Sequence, residues 1–278
     1  MADVPALPGP GEILHLDAPR LFAGGGGAMA FRQLARSDAE VHFFTALGND
    51  DSGREVKAEL SALAAGGSGD SSAGTQVHAA VRAQSHVRAV VLVPPTGDRT
   101  IVVIGRPLHP DARDPLPYDL LARCDGVYFA AEDSELLRLA RAAKVVVATA
   151  RRKAALDRAG IAPDVIVGSA SDPRERSSLR DYSPAPRAVV MTEGARGGTI
   201  ETSDGVARFQ PAVIKPPGPS YGAGDSFAAA LTYFLAAGRP LHEAATRASA
   251  FGAAVIGARM PPEAQERLQA VPTFETHI

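Results

Sequence analysis

The stretch "GPSYGAGDSFAAALTYFLAAG", Gly218 to Gly238, sets Gly-Ala-Gly-Asp directly before an apolar run. Phe227, Leu231, Phe234 and Leu235 recur at helical spacing, and Gly238 suits a C-terminal stop. The spacing predicts a helix that begins near Gly224–Asp225. Glycines just before a helix let backbone N–H groups converge at its positive end, which makes an anion site. A carboxylate there has two readings. Asp225 can be an ordinary N-cap. It can also take a proton from a substrate hydroxyl while the amides hold the charge of a transferring phosphoryl group.

The elements that must position such a site alternate along the chain. "VHFFTAL" (41–47), "GVYFA" (126–130), "KVVVATA" (144–150), "DVIVG" (164–168) and "RAVVMTEG" (187–194) read as buried strands. Helical patterns follow several of them, at 52–65 with Val56, Leu60 and Leu63 on one face, and at 134–143 with Ser134 as cap. This alternation argues for an α/β fold with a mainly parallel sheet covered on both faces. "QVHAAVRA", "HVRAVVLV" and "RTIVVIG" carry no helix between them, and "PPTGD" (94–98) suits a hairpin turn. They predict a small antiparallel flap over about 75–104, which "EILHL" within 12–22 could join. "MADVPALPGP" does not read as a strand, and "GGSGDSSAG" (66–74) reads as a flexible connection.

With 278 residues, 45% of them hydrophobic, one domain over 1–278 with a large core is expected. A formal net charge of -2 gives no electrostatic case for nucleic acid or an anionic membrane. No apolar run approaches the roughly 20 residues of a membrane helix. Cys124 stands alone, which suits a reducing compartment, and the start lacks a signal-peptide pattern. A cytoplasmic protein is expected. Five of the histidines, His15, His42, His78, His86 and His109, are scattered without metal-ligand spacing. "ARRKAALDR" (150–158) reads as a solvated helix face rather than a phosphate clamp. Glu132, just past a strand at the sheet edge where ligands bind, is a substrate-pocket candidate.

"YGAGDSFAAAL" resembles the C-terminal signature of the PfkB/ribokinase family of carbohydrate and nucleoside kinases. Three further segments match in the family's order. They are "AGGGGAMAFRQLAR" (23–36), "FFTALGNDDSG" (43–53) and "VVMTEGARGG" (189–198). The resemblance spans about residues 11–260. It implies a ribokinase-like α/β fold with a small β lid, and transfer of the ATP γ-phosphate to an alcohol of a sugar, nucleoside or related small molecule. By position Asp225 is the base, and Gly222, Ala223 and Gly224 supply anion-hole amides. Thr192, Gly194 and Gly197 lie along the nucleotide. Gly24, Gly25 and Gly26 let a substrate approach the backbone. Mg²⁺ accompanies ATP, and the lid often doubles as a clasp in a homodimer.

Some positions depart from the family pattern. Pro219 stands where an Asp tied to a monovalent cation is usual, so a K⁺ site is not carried over. Met29 stands where an Asn often binds sugar hydroxyls, and it cannot make a strong hydrogen bond. "SASDPRE" (169–175) replaces the Asn-x-x-Glu motif that organises Mg²⁺, leaving Asp172 or Glu175 as candidates. The family's first strand, with a substrate-binding Asp, has no counterpart in the reading, and Asp17 is no substitute. A non-catalytic or impaired ligand-binding relative is therefore the alternative. A dinucleotide-binding oxidoreductase fits poorly, because no βαβ fingerprint surrounds Gly222.

Overall fold

Strand after strand buries its odd and even residues against different layers. In the computed structural model, which describes residues 1–16, 18–66, 74–95, 99–211, 218 and 220–269, the first strand β1 (Ala2–Asp3) is followed by α1 (Gly26–Leu34), β2 (His42–Gly48), α2 (Asp51–Ala65), β3 (Gln76–Arg82), β4 (Arg88–Val93) and β5 (Thr100–Ile104). Then come β6 (Gly126–Phe129), α3 (Ser134–Ala140), β7 (Val145–Thr149), α4 (Lys153–Ala159), β8 (Val165–Ser169) and β9 (Ala188–Thr192). The hairpin β10 (Gly198–Thr202) and β11 (Gly205–Phe209) and the helices α5 (Ala223–Ala236) and α6 (Leu241–Ala254) complete the order.

The main sheet runs β11-β10-β9-β8-β7-β6. Strands β6 to β9 are parallel, and β10 and β11 are antiparallel. Val147, Val165, Val167 and Val190 face Phe227, Leu231 and Phe234 of α5. Val146, Ala148, Ile166 and Val189 face Leu136, Leu137 and Leu156 of α3 and α4. This two-faced burial is why these strands read as continuous apolar runs. A third cluster joins Phe31 of α1, Val41 and Leu60 of α2, beside the parallel pair β2–β3.

Several expectations are corrected. "QVHAAVRA" forms β3, which pairs in parallel with β2 rather than entering an antiparallel flap. The flap is smaller: β4 and β5 are antiparallel, and β1 adds to β4 in parallel. Residues 12–16 form no strand. The expected absence of a strand in "MADVPALPGP" is also overturned. Ala2 and Asp3 pair with Leu92 and Val93, and Met1, Ala2 and Val4 are buried. Asp133, not Ser134, caps α3 and accepts from the Glu135 N–H at 2.8 Å. Helix α5 begins at Ala223, one residue before the predicted start, and Gly238 (φ 78°) follows its end as expected. Most of 66–74, the 96–98 turn, Asp17 and Pro219 lie outside the described residues. No helix among the described residues is long and apolar enough to cross a membrane.

Candidate active site

Two helix N-termini meet at this site, each entered through a glycine with positive φ. Gly222 (φ 78°) caps α5 and Gly25 (φ 87°) caps α1. The Gly25 N–H donates to Tyr221 Oη at 2.8 Å, tying segments 196 residues apart. A Cβ on Gly24 would stand 2.6 Å from Tyr221 Oη, and one on Gly26 would stand 2.7 Å from Asp225 Oδ1. A Cβ on Gly222 would stand 2.5 Å from Met29 Cε. The two glycine motifs therefore pack against each other. The missing side chains of Gly24 and Gly26 make room for Tyr221 and Asp225. Met29 is fully buried, so it wedges against the Gly222 turn instead of facing an open pocket.

Behind this contact, Gln265 Nε2 donates to Met29 O and to Ser226 Oγ, both at 2.8 Å. All three residues are buried. Sequence reasoning missed Gln265 and Ser226, because neither carries a spacing signal. In front of the contact the helix end is open. The Ala223 N–H turns to Ser220 O at 3.3 Å. Among the described residues no acceptor is recorded for the Gly224 and Asp225 amides, in keeping with the unpaired first turn of a helix. A Cβ on Gly224 would meet nothing within 4 Å.

Asp225 retains some accessible surface but sits deep among protein atoms. Burial pushes its carboxyl up to about 6. Arg151 opposes that rise, Glu175 adds to it, and Arg99 opposes it. Arg99 Nη1 also donates to Ser220 Oγ at 2.7 Å, beside the turn. Burial raises the Tyr221 and Tyr128 hydroxyls too.

The other candidates lie further along the strand ends. Thr192 ends β9 and its hydroxyl donates to Gly168 O at 3.2 Å. Gly194 (φ 59°) and Gly197 (φ 78°) form the turn into β10. At Gly197 a Cβ would lie 2.2 Å from Phe209 O, so that glycine serves the close approach of β11. Glu132 reaches Arg152 at 2.6 Å and lies 3.3 Å from His109. It lines a polar cavity of about 580 Å³ with Arg82, His109, Asp111 and Asp114, a lining that includes neither glycine motif nor Asp225.

Asp172 and Glu175 were expected to handle metal, and their partners do not fit that role. Glu175 is buried, accepts from the Ser169 N–H at 2.9 Å and pairs with Arg151 Nε. Asp172 is held by Arg174 at 3.0 Å and Arg151 at 3.2 Å. Hydrogen bonds from Arg174 pull its carboxyl down to about 2. Among the described residues no cluster of three or more His, Cys, Asp or Glu could hold a metal ion. Within "ARRKAALDR", Arg151 is about half exposed and pairs with Glu175 and Asp172.

Residues 165–264 match the model of the pfkB family carbohydrate kinases, which includes the Asp225 turn. The architecture matches ribokinase from Thermotoga maritima with a TM-score of 0.74 at 16% identity, covering 96% of this chain and 92% of that one. Arabidopsis thaliana ribokinase complexed with ribose and ATP matches at 0.61 and 16% identity, over 95% and 91%. Phosphofructokinase-2 from Escherichia coli, in complex with substrates and products, matches at 0.69 and 15% identity, over 94% and 92%. The fold is ribokinase-like, and the resemblance to the PfkB family stands. No curated protein matches the sequence. In this ribokinase-like chain the matched family segment begins at β8 and ends beyond α6, so it holds Thr192, Asp172, Glu175 and the whole Asp225 turn.

The two turn glycines should separate on substitution. Gly222→Ala is expected to cost about 1–3 kcal/mol in urea unfolding, from its positive φ and the Met29 clash. Gly224→Ala should leave the unfolding midpoint unchanged yet weaken anion binding, because the new methyl enters open space at the helix end. Asp225→Asn should stabilise the fold at pH 8. A carboxyl raised from 3.8 to about 6 in the folded state carries a cost that is fully present above pH 6 and absent below pH 4. The gain is on the order of 2 kcal/mol at pH 8 and should vanish at pH 4. Thermal melts across that range check it.

Proposed function

We propose that this protein is an ATP-dependent kinase that phosphorylates an alcohol group of a sugar, nucleoside or related small molecule. The observation that carries this reading is the Asp225 carboxylate. It lies at the open N-terminus of α5, beside two amides without an acceptor among the described residues, with its carboxyl raised to about 6. A purely structural cap would gain nothing from such burial. The named relatives support the class of chemistry, since one binds ribose and ATP and another is a phosphofructokinase.

In the proposed reaction the acceptor hydroxyl stands beside Asp225 Oδ. Its oxygen attacks the γ-phosphorus, its proton passes to Asp225, and the bond to the bridging β–γ oxygen breaks, releasing ADP. The Gly224 and Asp225 amides and the α5 dipole hold the charge that spreads over the transferred phosphoryl oxygens. Mg²⁺ would arrive as the counterion of ATP. No step is assigned to a protein-held metal, because Asp172 and Glu175 are engaged by arginines. That engagement favours the second reading, a relative that binds ligand without turnover. The residues over 1–278 are read as one kinase domain.

ATP consumption against a panel of sugars, nucleosides and small alcohols tests the proposal. Turnover should fall by about 10²–10⁴-fold in Asp225→Asn, with nucleotide binding retained. In the wild type kcat/KM should drop about tenfold per unit below pH 6, as Asp225 takes up its proton and ceases to be a base. A flat profile between pH 5 and 7, or an undiminished Asp225→Asn rate, overturns the role. Binding without turnover supports the second reading.

The flap also supports a homodimer. Ile101, Val102, Val103 and Ile104 of β5 are consecutive, aliphatic and each more than 40% exposed. An edge strand of that kind is a pairing surface. Light scattering should give twice the chain mass of 28.8 kDa, and Val102→Lys with Ile104→Lys should return the monomer.

A further inference from the structure

Arg151 and Arg152 follow β7 on one short turn, Ala150–Arg152, and go opposite ways. Arg152 turns toward β6, where it donates to Ala130 O at 2.8 Å and meets Glu132 at 2.6 Å. Arg151 turns toward β8 and α5. Its Nε pairs with Glu175, its Nη2 reaches Asp172 at 3.2 Å, and no described residue accepts from its Nη1. About half of the side chain is exposed (51%).

This arrangement has a fixed end and a loose end. Glu175 is 8% exposed and is itself fixed by the Ser169 N–H. It therefore anchors the guanidinium by Nε. Asp172 does not need Arg151. Two Arg174 nitrogens, at 3.2 and 3.0 Å, and the Arg174 N–H at 3.0 Å already satisfy it. The Nη edge can leave Asp172 with that carboxylate still paired. Arg151 is the strongest of the positive charges acting on Asp225, which sets its guanidinium in that carboxylate's neighbourhood. A planar guanidinium held at Nε, with Nη1 unpaired among the described residues and Nη2 able to leave Asp172, is suited to bidentate contact with a phosphate.

We propose that Arg151 receives the terminal phosphates of the nucleotide, supplying in this chain the positive charge that the arginine-engaged Asp172 and Glu175 cannot gather as metal ligands. This inference rests on the kinase reading. The residue is a phosphate-binding group, and Glu175 positions it. Arg151 stands on the short turn that follows β7, and its anchor Glu175 is fixed by the Ser169 N–H at the end of β8.

Calorimetry on the full chain with ATP and with adenosine tests it. Arg151→Met alone would leave Glu175 buried and unpaired, so the informative variant is Arg151→Met with Glu175→Gln, beside Arg151→Lys and Glu175→Gln alone. ATP affinity should fall roughly 10–100-fold in the double variant, while adenosine affinity stays within about twofold of wild type. Arg151→Lys should recover part of the ATP affinity. An unchanged ATP affinity in the double variant, or equal losses for ATP and adenosine, overturns the inference and leaves the kinase reading standing. If the wild type binds neither ligand, the kinase reading falls and the inference falls with it.

Discussion

The close approach of Gly26 to Asp225 is the constraint on which the site depends. A backbone segment and a carboxylate from opposite ends of the sequence occupy the space that one methyl group would fill. Packing of α1 against α5 brings them together, and both helices need a glycine with positive φ to start where they do. The α5 side is backed by the Met29–Gln265–Ser226 hydrogen bonds, which are buried and leave little slack. The result is a carboxylate held in a protein-lined place, not on a mobile loop. That place is also what raises its proton affinity. Geometry and electrostatics here have one cause.

Much of the main sheet was legible because its chemistry is local. Strands β6 to β9 are buried on both faces, so each reads as an apolar run. The helix after Asp225 declares itself through Phe227, Leu231 and Phe234. The partner of a strand is less legible. "QVHAAVRA" has the composition of a flap strand, and nothing within it says that β2, some thirty residues earlier, will pair with it in parallel. β1 is shorter still. Two residues cannot establish a period, and only burial against Leu92 and Val93 makes them a strand. Pairing of this kind is a tertiary decision, and sequence patterns record mainly burial.

The site shows the same division. Asp225 and the glycines stand out by type and spacing, and their turns are local events. What lies around them was less visible. Gly24 and Gly26 were read as giving a substrate access to the backbone and Gly197 as lying along the nucleotide, and each also makes room for another part of this chain. Asp172 and Glu175 were read by spacing alone, which cannot reveal that arginines at 151 and 174 reach them first. Arg151 was read as part of a solvated helix face and is about half exposed, but its pairing with Glu175 was not visible. Its direction is set by the turn after β7, and a three-residue turn carries no periodicity from which to infer it.

The ion pairs at Asp172 and Glu175 have a physical consequence for Asp225. An empty carboxylate pair beside Asp225 would raise that carboxyl further by like-charge repulsion, and an added cation would be needed to offset it. Arg151 supplies the opposing charge from within the chain. It also relieves the burial of Glu175, which would otherwise be an isolated charge in the interior. The cleft therefore keeps Asp225 near the point where it can both lose and regain a proton at neutral pH. The proposed general base needs that balance, and Arg151 is one of the charges that set it.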